Sequence, residues 1–171
     1  MRNMIIAITI ITLIIGSAIY TSSIEDEISS EDIAILFINN LFTATPETYN
    51  DIYSNDGYDI GPYVKDNIVN LVTDKMLVKL YANRDVTISS SIAMEYNANV
   101  TVENLELSNK QINENKEHYD FNGTIRITMT DTNESVDYPF SGQVGLVKEN
   151  SDIRVFALRL FSINLIDHRS R

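Results

Sequence analysis

Two histidines, His118 and His168, are the only imidazoles in the chain, and there is no cysteine. Thiolate metal sites, disulfides, cysteine nucleophiles and a lipidated-cysteine anchor are therefore all excluded. His168 is the fourth residue from the C-terminus and reads as solvated; His118, ahead of Tyr119 and Asp120 at a strand start, reads as a surface turn residue. No serine stands in a G-x-S-x-G elbow, and the glycines form no phosphate loop. SNDGYD looks like a calcium loop, but Ile52 holds the place where such a loop needs an aspartate five residues before its glycine, Gly57. It is a turn. Asn99-Val-Thr101, Asn122-Gly-Thr124 and Asn133-Glu-Ser135 match the glycosylation acceptor pattern, a coincidence in a chain this rich in asparagine.

The tyrosines remain. Tyr49, Tyr53, Tyr58, Tyr63 and Tyr81 crowd one half of the chain, while Tyr119 and Tyr138 fall in the other. A phenol suits places with one dry and one wet end, so these residues are candidates for lining a cavity or an interface. The plainer expectation is that they fill a helix–sheet junction. Catalytic residues, cofactor ligands and metal ligands are not expected.

The composition fits an acidic, folded domain. Hydrophobic residues make up 44% and charged residues 22% of 171, with a formal charge of −11. Such a surface repels phosphate backbones, so nucleic-acid partners are not expected. Protein partners are.

Residues 4–20 form a nearly unbroken apolar run behind Arg2. It is longer than the core of most export signals and shorter than a comfortable spanning helix. Gly16 and Ala18 offer a cleavage site before Ile19, whereas the Ile-rich core and Tyr20 favour a retained anchor. Both outcomes stay open. Arg2 on one side and Glu25, Asp26 and Glu27 on the other set the orientation, so the remainder is expected at the outer face of the cytoplasmic membrane, or secreted if the leader is cut. Residues 21–28 then read as a linker, 29–166 as one domain and 167–171 as a polar tail.

Within the domain, Ser29 and Asp32 have capping-box spacing, and Ile33, Leu36, Phe37, Asn40 and Leu41 mark a helical stripe. TPETYNDIY is a second short helix, with Thr45 capping and Pro46 first inside. A third helical stretch runs from Gly61 to Asp85 with a break near Thr73; Val64, Ile68, Leu71, Val72 and Met76 form its stripe. VTISSSIAMEY is ambiguous and reads as a linker with a short strand. From Val100 the period is two. Val100, Val102, Leu105 and Leu107 slip phase once, as at a bulge. Asn122-Gly123 would ordinarily signal a hairpin. Yet Tyr119, Phe121, Ile125, Ile127 and Met129 keep one phase across it, so the strand continues through a glycine kink. Val136, Tyr138, Phe140, Val144 and Leu146 do the same across Gly142, with the turn at DTNE. Pro139 should then mark a bulge or an unpaired position.

The expected fold class is α+β: three N-terminal helices packed in the concave face of a strongly curved, four-stranded antiparallel sheet, preceded by the membrane or signal helix. On this order of elements, and on helix-end patterns such as TPETYNDIY and NIVNLVTDKMLVKLYANRD, the chain resembles the nuclear-transport-factor-like α+β cone. Among exported forms it looks most like the extracytoplasmic domains of conjugative type IV secretion scaffold proteins. The resemblance implies a non-enzymatic domain that binds protein partners at the membrane surface and self-associates into homo-oligomers. A solitary exported binding module of the same fold is the alternative. The fold also hosts cavity enzymes of the ketosteroid-isomerase type, which place a tyrosine and an aspartate in the cone. Here Tyr119 and Asp120 are neighbours on a strand and point to opposite faces.

Overall fold

The computed structural model describes residues 28–53, 60–149 and 152–163. The apolar leader, all of the linker but Ile28, Tyr58, His168 and the polar tail lie outside the described residues.

Helix α1 spans Ser30–Phe42 and opens on the expected capping box: the Ser29 hydroxyl accepts from the Asp32 amide, and the Asp32 carboxylate accepts from the Ser29 amide. Two otherwise orphaned donors are thereby satisfied. The buried stripe is Ala34, Phe37, Ile38, Leu41 and Phe42, rotated from the expected one, and Leu36 is 46% exposed. The i, i+3, i+4, i+7, i+8 run that starts at small Ala34 lets the helix approach the sheet closely.

TPETYNDIY folds as a 3-10 turn over Pro46–Asp51 rather than an α-helix, capped through the Thr45 and Thr48 hydroxyls. The stretch from Gly61 to Asp85 breaks where expected. It gives α2 (Pro62–Asn67), a 3-10 turn (Val69–Leu71) and α3 (Asp74–Ala82). The break has a tertiary cause: Val72 makes an isolated bridge to Val155, the Thr73 amide donates to the Val155 carbonyl at 2.9 Å, and the Thr73 hydroxyl then caps α3.

VTISSSIAMEY corrects the reading as linker and strand. It forms a 3-10 turn (Asp85–Thr87) and a helix, α4 (Ile88–Tyr96), ended by Asn97 in the left-handed region. The β-branched residues misled. Ser89, Ser90 and Ala93 are buried on one face, and small side chains there let α4 lie close to the turn at Pro46–Asp51. Tertiary packing outweighs local propensity. The described residues thus hold four α-helices where three were expected.

Four antiparallel strands follow in the order β1-β2-β3-β4: β1 Ala98–Asn113, β2 Lys116–Met129, β3 Ser135–Glu149 and β4 Asp152–Ile163. As expected, β2 runs straight through Asn122-Gly123, with Asn122 opposite Ser141 and Gly123 opposite Phe140. The glycines have a specific use. Gly123 faces Phe140 and Gly142 faces Phe121 across one ladder, so each glycine makes room for the other strand's ring. The two rings lie 5.5 Å apart, and Phe42 of α1 meets Phe140 edge-on at 5.5 Å. The phase slip in β1 is real: the register shifts between Glu103 and Glu106 with Asn104 at φ 52°, and again between Ser108 and Gln111 with Asn109 at φ 51°. Pro139 does not mark the expected bulge: it pairs with Thr124 of β2 in an unbroken register, and only on the β4 side does it lie beyond the last described pair, Phe140↔Ile163. Helices cover one face of the sheet; the other is polar, with Arg126 joined to Glu103 and bidentately to Asp137.

Candidate functional site

Among the described residues, the sequence-chosen tyrosines do not converge on one site. Tyr63 is a strut: its hydroxyl donates to the Asn40 carbonyl at 2.6 Å, and burial holds its pKa above the ordinary value. Tyr81 donates to the Ile52 carbonyl at 3.1 Å, and its ring meets Tyr53 edge-on at 5.6 Å. Tyr49 is half-buried beside them in sequence. Tyr63, Tyr81 and Tyr53 thus tie segments of the helical half to one another. Tyr119 and Tyr138 lie at opposite ends of the sheet.

Between helices and sheet, where a cavity enzyme of this layout keeps its pocket, Phe37, Phe42, Phe121, Phe140, Ile125 and Leu80 are packed and fully buried. Tyr119 points into this side, while Asp120 accepts amide hydrogens from Asn109 at 2.9 Å and Gln143 at 3.1 Å on the other. The alternation of a strand separates the pair. Among the described residues no cluster of three or more His, Asp and Glu is placed to hold a metal ion.

At one end of the sheet, beside the start of α1, lies an open groove of about 480 Å³. Leu146 and Ile153 give it an apolar floor, and Lys110, Glu114, Glu117 and Lys148 a charged rim. Here the buried Tyr119 hydroxyl donates to Glu117 at 2.7 Å, the Lys110 ammonium lies 3.1 Å from the same carboxylate, and Lys110 also sits 5.2 Å above the Tyr119 ring. Partial burial works against the Glu117 charge, but the Tyr119 and Lys110 hydrogen bonds outweigh it and hold the pKa below the usual carboxylate value. Burial raises the Tyr119 pKa. The triad is a charge pair set on a buried phenol, each ionic group held in place by the other two. Sequence reasoning found Tyr119 but missed Lys110 and Glu117, because the bulge at Asn109 re-aims Lys110 toward the inner face.

At the other end, Tyr138 lies opposite buried Ile125, and Val136, 42% exposed, lies opposite Ile127. The last turn of α4 is tied to this corner, since both the amide and the hydroxyl of Thr130 donate to the Asn97 carbonyl. That brings Tyr96, 36% exposed, near Tyr138, whose pKa is raised by burial and then by the Tyr96 phenol.

No protein-family model matches the chain, and no curated protein matches it. Among solved structures it is similar to an Ntf2 like protein involved in plasmid conjugation, with a TM-score of 0.43 and 12% identity over 74% of this chain and 46% of that one. The chain therefore spans about half the length of that protein.

Proposed function

We propose that the chain is a non-enzymatic protein-interaction domain, exported and held at the outer face of the cytoplasmic membrane by residues 4–20, and that it serves as a scaffold subunit of a conjugative type IV secretion machine. One observation carries the non-enzymatic part: the space between helices and sheet is filled by fully buried Phe37, Phe42, Phe121 and Phe140. Binding then falls to the perimeter, where half-exposed aromatic and charged groups stand. The apolar leader supports the location, and the helices-then-meander layout supports the scaffold family. The acidic balance, −11 overall, favours protein over nucleic acid.

Cross-linking in intact cells followed by affinity capture of the full chain tests this reading. The expected result is membrane-fraction recovery together with other envelope-machine subunits. Recovery of the chain alone from the culture medium would favour the solitary secreted module and overturn the scaffold assignment.

A further inference from the structure

The corner where α4 meets the β2–β3 turn combines exposed apolar surface with unbalanced negative charge. Tyr96, Val136 and Tyr138 supply the apolar part. Glu95 on the last turn of α4, and Asp131 and Glu134 in the turn between β2 and β3, are all exposed on the two segments that meet here. The hydrogen bonds from Thr130 to Asn97 hold these two segments together. The segments that build the corner are devoid of cations: no Lys or Arg occurs from Asp85 to Asn109, or from Ile127 to Val147. The C-terminus of α4 adds the negative end of its dipole, with no basic residue in its last turn. Asp137, close by in sequence, is already neutralised by Arg126 on the opposite face.

Resting on the protein-interaction reading above, we propose that this corner is the docking surface for a cationic amphipathic segment of a partner protein. Its apolar side chains lie on Tyr96, Val136 and Tyr138, and its Lys or Arg groups pair with Glu95, Asp131 and Glu134. Tyrosine at the centre with charge at the rim is the arrangement in which interface residues contribute most to affinity. The fixed negative potential steers a basic partner and makes encounter depend on salt.

The chain has no tryptophan, so the fluorescence of a Trp-tagged peptide reports binding to the full chain without background. The probes are a 14-residue peptide of Leu and Lys in helical repeat and its counterpart with Glu in place of Lys. The Lys peptide should bind, more weakly as salt rises, and the Glu peptide should not. Glu95→Lys combined with Glu134→Lys should weaken binding at least 10-fold. Glu114→Lys combined with Glu149→Lys, the same change in net charge at the far end of the sheet, should leave it within 2-fold. Equal loss in both double variants would reduce the effect to net charge and overturn the site. So would tighter binding after truncation beyond Ile163, since the chain's own end would then be the occupant. If the wild-type chain captures partners in cells and the corner variant captures the same ones, the docking surface is wrong while the interaction reading stands. If the wild type captures none, the interaction reading itself fails.

Discussion

Glu117 shows how a single side chain can be costly and useful at once. Partial burial disfavours its charge, yet the Tyr119 hydroxyl and the Lys110 ammonium hold that charge in place. A carboxylate whose folded pKa lies below its unfolded value of 4.5 adds stability above that value and loses it as the pH falls through the folded one. Wild type and Glu117→Gln should therefore differ in thermal midpoint at pH 7, and the gap should close on acidification below about pH 4.5. A gap that stays constant down to pH 3 would mean that the triad contributes shape and no charge. Tyr119 was visible in the sequence as a strand residue of the inner phase. Its partners Lys110 and Glu117 were not, because Lys110 reaches Tyr119 only through a second irregularity, at Asn109, beyond the one phase slip that the spacing marks.

Elements were legible where a side chain acts on its own backbone or on a fixed period. The Ser29–Asp32 box, the Thr45-Pro46 start and the one-phase run from Tyr119 to Met129 are of this kind, and each lies where expected. The failure is α4. Its β-branched residues point to a strand, and contact with the Pro46–Asp51 turn and with β1 selects a helix with Ser89, Ser90 and Ala93 inward. That packing leaves a defect, since the Ser89 hydroxyl is buried without a hydrogen-bond partner among the described residues. A buried unsatisfied hydroxyl costs about 1–3 kcal/mol, so Ser89→Ala should stabilise the domain by about 1 kcal/mol. Calorimetry should register a rise in Tm of about 3 °C; a fall would mean that the hydroxyl has found a partner.

At the level of the whole molecule, β1 is a long outer strand whose two bulges rest on asparagines in the left-handed region. A flat outer strand of this length would present a continuous row of unpaired backbone groups to another copy. Asn104→Gly keeps the bulge and should leave stability nearly unchanged. Asn104→Val cannot adopt φ near 52° without a penalty of about 1–2 kcal/mol. It should lower stability by that amount and, by flattening the strand, produce concentration-dependent association in sedimentation. Unchanged sedimentation would show that the bulges do not guard this side, and that self-association, if it occurs, uses faces of the domain.

The layout also decides what is left waiting while the chain is made. Beyond α4, the cover of α1 comes from β1, β3 and β4, so Phe42 emerges long before Phe140 exists to meet it. The strands, by contrast, pair only with sequence neighbours and can zip as soon as each is released. Synthesis therefore passes through a period in which a greasy helix has no lid, and a holdase that shields about the first hundred residues would matter more to this domain than one acting on its finished sheet.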